Sequence, residues 1–175
     1  RARAEEVRAA SITAVHLPQG GMPALGDNPL FLGCADYRST IASNGESSGF
    51  TFPEEMRRHA DKGTALVTDK DPGDAEIAEV VSQAAAHSCI VLGTYNGHIL
   101  QGQLRLAKAL AATGLPMILV ALRNPYDLRN MPDHVAALAG WEYTRPLFDA
   151  LWPVLNGTVR PTGKLPLLTL TKAAK

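Results

Sequence analysis

The sequence lacks an excess of charge of either sign. Lys plus Arg and Asp plus Glu number 17 each among 175 residues, so the formal net charge is zero. Proteins that bind nucleic acids through the phosphates usually carry a basic surface, and no nucleic-acid-binding motif is present here. The composition therefore predicts no nucleic-acid partner.

Long apolar runs are also missing. The strongest run, MILVAL at 117–122, is far shorter than the roughly 20 residues that span a bilayer. The chain opens with RARAEEVRAAS, which carries no signal-peptide pattern and is typical of a helix already under way. We therefore expect no membrane partner, and a soluble fragment or processed product, cytoplasmic or secreted.

Only two cysteines occur, Cys34 and Cys89, and both fall in apolar, strand-like runs. Two isolated thiols have no partners at the spacing of a metal site, so we expect no metal ion. Two buried free thiols are the favoured interpretation, and a disulfide is the alternative. A reactive thiolate at Cys34, near Arg38, is a less favoured alternative because a packed core thiol explains the same pattern.

Cofactor and nucleophile motifs are absent as well. The stretch VLGTYNGHILQGQ (91–103) has two glycines after an apolar run, but it has neither a dinucleotide fingerprint nor a phosphate-binding P-loop. No G-x-S-x-G elbow is present, and the serines at 47–48 indicate a solvated turn. We therefore predict no cofactor.

What the sequence does contain is an alternation of short apolar runs with helical patterns. The runs predict strands at 11–15, 29–34, 64–68, 88–93, 116–122 and 135–140. Such alternation predicts an α/β fold, a three-layer sandwich in which helices cover both faces of a mostly parallel, six-stranded sheet. The length suits a single domain over residues 1–175.

Helix boundaries have their own signals. Thr51 and Glu54 have the spacing of a capping box, so a helix should begin there. Asp71 is expected to be the N-cap of the next helix, with Pro72 at its first position. The helix after 98 should bury the stripe Leu100, Leu104, Ala107 and Ala111 and end at Gly114. A last helix is predicted over 145–156, ending at Gly157, and Pro153 should kink or split it.

In an open parallel sheet, ligands and partners meet the loops that leave the carboxyl ends of the strands. Those loops are predicted at 35–38, 68–71, 94–98, 123–127 and 141–144. They mix aromatic and polar residues, a composition that suits sugar rings or a polar domain interface. Our candidates for such contacts are Tyr95, Asn96, His98, Arg123, Asn124 and Tyr126.

Four acids also fall near this edge, namely Asp36, Asp69, Asp127 and Glu142. Retaining glycoside hydrolysis needs two acids about 5–5.5 Å apart, so a catalytic pair is conceivable. Acids at strand ends also cap helices and form turns, and Asp127 after NPY fits that role better. His98 could bond either a sugar hydroxyl or local backbone, and the local role is favoured.

Two segments carry a family resemblance. The strand leading into ALRNPYDL, followed by GWEYTRPLFDALWPVLNGTVRPTGKLP, resembles the carboxy-terminal α/β-sandwich domain of glycoside hydrolase family 3. The resemblance is strong over 88–167 and weak over 1–70. Within the family it is nearest to the bacterial two-domain β-N-acetylglucosaminidases, also called β-N-acetylhexosaminidases.

The resemblance implies that a (β/α)8 barrel precedes this chain and carries the catalytic aspartate. In the β-glucosidase branch, a glutamate of the second domain serves as acid/base in the loop that matches 94–98. That loop has no carboxylate here, which fits the N-acetylglucosaminidase branch, where an Asp–His pair on a barrel loop replaces the glutamate. No catalytic residue is therefore expected in this chain.

The sequence thus favours an accessory domain that completes the cleft of a retaining β-N-acetylglucosaminidase and is inactive alone. Its expected partners are the barrel, a carbohydrate at the domain interface and a possible second copy in a homodimer. The alternatives are a stand-alone carbohydrate-binding module, a structural or oligomerisation domain, a domain of the β-glucosidase branch and, less favoured, a small hydrolase using Asp36 or Asp127.

Overall fold

The computed structural model describes residues 2–35 and 49–165, so Asp36, Tyr37 and Arg38 of the first predicted loop lie outside the described residues, as do the serines at 47–48. Each predicted strand is present, which confirms the pattern of apolar runs. The strands are β1 (Thr13–His16), β2 (Pro29–Cys34), β3 (Thr64–Thr68), β4 (Cys89–Thr94), β5 (Met117–Ala121) and β6 (Val135–Ala139).

The strands form one sheet in the order β1-β6-β5-β4-β2-β3. Strands β2 to β6 are mutually parallel, and β1 pairs antiparallel with β6. Every residue of β2, β4, β5 and β6 is buried, because helices cover both faces of these strands. That double burial is why these strands appear in the sequence as continuous apolar runs.

Five α-helices complete the sandwich: α1 (Ala2–Ser11), α2 (Phe52–Ala60), α3 (Asp74–Ala84), α4 (Gln101–Ala111) and α5 (Arg145–Leu155). Helices α2 and α5 bury their apolar sides in a core on one face of the sheet, and α1 packs on α5. Helices α3 and α4 form the second core on the other face. The three-layer, mostly parallel α/β fold is thereby confirmed. Within the described residues, no helix has the length and hydrophobicity that crossing a bilayer requires.

The predicted start of α2 is confirmed, with Thr51 as its N-cap. The Thr51 hydroxyl accepts a hydrogen bond from the Glu54 backbone N–H at 3.4 Å and donates one to the Glu54 carboxylate at 2.6 Å. The prediction for α3 is wrong by two residues, because the helix begins at Asp74 with Gly73 as its N-cap. Asp71 instead accepts the N–H of Gly102 at 2.6 Å and so caps α4 from outside that helix.

Two further helix predictions need correction. In α4, Leu106 and Leu110 are fully buried while Leu104 is only half-buried, because the face that meets the sheet and α3 is rotated from the predicted stripe. Helix α5 runs without a break through Pro153 to Leu155. The proline lies in the last turn of α5, where few backbone hydrogen bonds of the helix remain to be disrupted. Gly157 follows the helix with a left-handed φ of 79°.

Candidate functional site

The direction in which successive strands are added to the sheet reverses between β2 and β4. From β2 it crosses to β3 at one side, whereas β4, β5 and β6 follow one another towards the other side. Ligands of open α/β sheets bind at such a reversal, outside the carboxyl ends of the strands. The loop that leaves β4 there, residues 95–100, is therefore the first place to look for a site.

A buried carboxylate holds this loop. Asp127, in the 3-10 helix Pro125–Leu128 that follows β5, is fully buried, and its two oxygens accept different backbone N–H groups. Oδ2 accepts from Gly97 at 2.9 Å and Oδ1 from His98 at 2.7 Å. Asn96, just before them, is 5% exposed and adopts a left-handed φ of 57°. The turn formed by 96–98 is thus built around Asp127.

The side chain of Gln103 braces the loop from the other side. It lies on the buried face of α4, and its amide oxygen accepts the Tyr95 N–H at 2.8 Å. Its amide nitrogen donates to the carbonyls of Tyr95 at 3.0 Å and Lys70 at 2.8 Å. The sequence analysis did not single out Gln103. The available signal was a glutamine on the buried face of an otherwise apolar helix, where an amide must find hydrogen-bond partners.

Tyr95 points into the domain. It is 8% exposed, its ring meets that of Tyr143 edge-on at 5.4 Å, and its hydroxyl accepts a hydrogen bond from Arg123 at 3.0 Å. Arg123 itself is exposed, with its guanidinium 5.5 Å from the Tyr95 ring centre. Of the six predicted contact residues, Tyr95 and Asn96 therefore support the loop, while Arg123 reaches the surface.

Tyr143, which the sequence analysis did not select, joins three elements beneath the loop. Its hydroxyl donates to the Cys34 carbonyl at the end of β2 (3.0 Å) and accepts the Phe52 N–H at the start of α2 (2.8 Å). Phe52 in turn fills the space beside Gly93, where an added Cβ would lie 2.5 Å from its ring. Aromatic side chains therefore pack closely beneath the loop on this side of the β2–β4 reversal.

The exposed part of the site lies further out. His98 is about one-third exposed, at 31%, and its ring centre is 6.4 Å from that of Tyr126, which is 39% exposed. Asn124 accepts the Tyr126 N–H at 3.1 Å and so caps the 3-10 helix. We define the edge surface as five exposed or half-exposed residues of these two loops, namely His98, Ile99, Arg123, Tyr126 and Arg129. The Arg129 guanidinium lies 4.3 Å from the Tyr126 ring centre.

The described acids near this edge have structural partners. Asp127 binds backbone N–H groups, Asp69 accepts the N–H of Asp71 at 2.9 Å, and Glu142 pairs with Arg8 at 2.5 Å. Asp127 is the most deeply placed, because no part of it is exposed. Its observed role is close to the predicted one of a turn-forming acid, and its burial argues against the alternative in which it is a catalytic acid.

The TGK segment near the end of the described chain packs at this same sheet edge. Gly163 donates its N–H to the Ile12 carbonyl at 3.0 Å, and an added Cβ would lie 2.4 Å from the Ser11 carbonyl oxygen. Trp141 donates its indole N–H to that same Ser11 carbonyl at 2.9 Å. The glycine of the motif is thus required by close backbone contact with the segment that enters β1.

The two cysteines are buried and form no disulfide with each other, as the favoured interpretation predicted. Burial raises the pKa of the Cys89 thiol from 9.0 to about 12, because the thiolate would have to form away from water. Cys89 therefore belongs to the packed core and is not a nucleophile.

No sequence model of a protein family matches the chain, and no curated protein matches it by sequence. Solved structures do match it. A glycoside hydrolase family 3 β-N-acetylglucosaminidase from Paenibacillus sp. str. FPU-7 superposes with a TM-score of 0.80 at 24% identity, over 97% of this chain and 32% of that one.

Two further neighbours have the same fold. A fungal multi-domain family 3 β-N-acetylglucosaminidase gives a TM-score of 0.71 at 18% identity, over 93% of this chain and 18% of that one. A β-glucosidase from Listeria innocua gives 0.70 at 15% identity, over 91% and 25%. The chain thus spans about a third or less of the length of these neighbours. Its fold is the one that glycoside hydrolases of family 3 carry over that fraction of their length, in agreement with the resemblance read from the motifs.

Proposed function

We propose that this chain is the accessory domain of a retaining β-N-acetylglucosaminidase of family 3 and completes the sugar cleft of a catalytic (β/α)8 barrel. The parent enzyme would release terminal N-acetylglucosamine from glycans derived from chitin or peptidoglycan. One observation carries the proposal. The loop at the strand reversal is held rigidly by Asp127 and Gln103, presents His98 at the edge surface, and contains no carboxylate.

A retaining mechanism needs a nucleophile and an acid/base, usually two carboxyl groups about 5–5.5 Å apart. At the described part of this edge, Asp127 is buried against backbone N–H groups and Glu142 is paired with Arg8. Phe52 and the aromatic residues around it pack closely beside Gly93 at the strand reversal. These features favour a domain that shapes a neighbouring cleft over one that performs hydrolysis by itself.

The branch within the family is inferred from the same loop. A β-glucosidase of this family would be expected to supply a glutamate from the segment that matches 94–98, and that segment here is Thr-Tyr-Asn-Gly-His. The structural neighbours support the same branch, since the Paenibacillus β-N-acetylglucosaminidase superposes with a higher TM-score and identity than the Listeria β-glucosidase.

The proposal is tested with chromogenic N-acetylglucosaminide and glucoside substrates. The purified chain alone should turn over neither substrate. The chain expressed together with the barrel of its parent polypeptide should hydrolyse the N-acetylglucosaminide, and the glucoside much more slowly. Turnover by the pure chain that disappears in Asp127→Asn would overturn the assignment, and preference for the glucoside would move the domain to the other branch.

Calorimetric titration of the chain alone with N-acetylglucosamine addresses the binding-module alternative. Measurable binding that is lost in Tyr126→Ala would favour that alternative, because Tyr126 is the exposed aromatic ring of the edge surface. Sedimentation of the chain with and without the barrel would show whether a homodimer forms, and a dimer that binds no sugar would favour a structural role.

A further inference from the structure

The ring of His98 lies against the carboxylate that binds its own backbone. Nδ1 of His98 is buried, lies 3.4 Å from Oδ1 of Asp127, and is not aligned for a hydrogen bond with any atom of the described residues. The same Oδ1 accepts the His98 N–H at 2.7 Å, and the other oxygen accepts the Gly97 N–H. Asp127 thus constrains both the backbone and the ring of His98.

This contact selects one form of the neutral imidazole. Neutral histidine carries its proton on one ring nitrogen and a lone pair on the other. Both oxygens of Asp127 act as acceptors, so a lone pair on Nδ1 would face a negative oxygen at 3.4 Å with little water between them. A proton on Nδ1 turns that repulsion into attraction. Turning the ring over would put a carbon beside Asp127 and lose the attraction altogether.

We infer that Asp127 is a positioning residue that holds His98 as its Nδ1–H tautomer, so that Nε2 presents a lone pair at the edge surface and accepts a hydrogen bond from a sugar hydroxyl. The identity of the sugar rests on the proposed function, whereas the tautomer rests only on the contact with Asp127. The ring is about one-third exposed while Nδ1 is buried, which leaves Nε2 as the nitrogen available to a ligand.

The surroundings of Nε2 suit a neutral polyol. Tyr126 presents a partly exposed ring tilted by 60° to the imidazole, and the apolar side chain of Ile99 next to His98 is 64% exposed. Sugars combine hydroxyl donors with apolar C–H faces, and aromatic rings pack against those faces. A neutral acceptor beside such a ring and an apolar side chain matches the hydroxyl donor of a sugar.

The tautomer can be read directly by nuclear magnetic resonance. In the ¹⁵N-labelled chain without sugar, two-bond ¹H–¹⁵N correlations above pH 7 should show a protonated Nδ1 and an unprotonated Nε2 for His98. His134 is a control in the same spectrum, because its Nε2 lies 3.0 Å from the Ala111 carbonyl oxygen and must donate. The two histidines should therefore show opposite patterns. An Nε2–H tautomer at His98 would overturn the inference whether or not the proposed function holds.

Two variants test the roles of Asp127 and Nε2. In Asp127→Asn, the His98 signals should move towards the Nε2–H tautomer that histidine favours in water, and unchanged signals would show that another group selects the tautomer.

In the barrel-containing enzyme, His98→Ala should raise KM for the N-acetylglucosaminide about tenfold, the effect of losing one hydrogen bond, with a smaller change in kcat. His98→Gln, which can still present an oxygen acceptor, should recover part of that loss. Wild-type KM in both variants would rule out the sugar contact.

Discussion

Asp127 and Gly97 lie 30 residues apart on the loops of two neighbouring parallel strands, and the buried carboxylate of Asp127 accepts the Gly97 N–H at 2.9 Å. The second oxygen accepts the N–H of His98. A single side chain thus takes up two backbone donors that a tight turn would otherwise leave unpaired inside the protein. The shape of the edge surface follows from this contact, because both loops that form it are joined there.

Replacing Asp127 by Ala should destabilise the fold. The change leaves the buried N–H of Gly97 and the part-buried N–H of His98 without their acceptor, so we expect the free energy of unfolding to fall by about 3 kcal/mol. Urea unfolding followed by circular dichroism measures the loss. The matched control is Asp27→Ala, since Asp27 is fully exposed and should change stability by less than about 0.5 kcal/mol. Similar values for both variants would show that the buried carboxylate does not stabilise the loop.

Replacing Gly93 by Ala should be costly for a steric reason. The added methyl group would lie 2.5 Å from Phe52 in the packed space at the strand reversal, so we expect a loss of about 2 kcal/mol. In the double variant with Phe52→Leu, the combined loss should be smaller than the sum of the single losses, because the two residues compete for the same space. Gly20→Ala, which meets no atom within 4 Å, is the control. Strict additivity in the double variant would contradict the steric explanation.

The hydroxyl of Tyr143 should contribute measurably to stability. In Tyr143→Phe, the N–H of Phe52 loses its acceptor and the Cys34 carbonyl loses a donor, while the aromatic packing is kept. We expect the free energy of unfolding to fall by about 2 kcal/mol, as measured by chemical denaturation. Tyr126→Phe serves as the comparison because its ring is partly exposed, and it should leave stability within about 0.5 kcal/mol. A loss in Tyr126→Phe as large as that in Tyr143→Phe would argue against a special role for the buried hydroxyl.

Cys89 should make the protein less stable at alkaline pH. Below pH 9 the thiol is protonated in both states. Above pH 9 it ionises in the unfolded chain, while burial keeps it protonated in the folded chain up to a pKa of about 12. The folded state then binds more protons, so this group lowers the free energy of unfolding by about 1.4 kcal/mol per pH unit as pH rises through that window.

Urea unfolding of Cys89→Ala and of the unmodified chain at several pH values above 9 checks this expectation. The difference in stability between the two proteins should shrink as pH rises, because only the unmodified chain carries the Cys89 thiol. In a Cys34→Ala variant, which keeps the Cys89 thiol, the contribution of Cys89 to the fall of the free energy of unfolding with pH should remain. A pH dependence that is identical with and without Cys89 would refute the assignment.

Much of the framework was predictable because its signals are local. Strands β2, β4, β5 and β6 are continuous apolar runs, and Thr51 with Glu54 marks the start of α2 within four residues. The position of the loop after β4 at the carboxyl edge follows from strand–helix alternation. The motif ending in TGK also carried the resemblance that the structural neighbours support.

The sequence by itself therefore determined the α/β class, the strand positions and the edge at which the candidate site lies. Only the tertiary structure decided what each side chain does there. In the folded protein, Tyr95 points inwards and Asp71 caps α4. Tyr143 contacts Cys34 at the end of β2, 109 residues away along the chain. The physical reason is that a buried polar group must find a partner, and the order of strands in the sheet, which short-range pattern does not encode, brings those partners together.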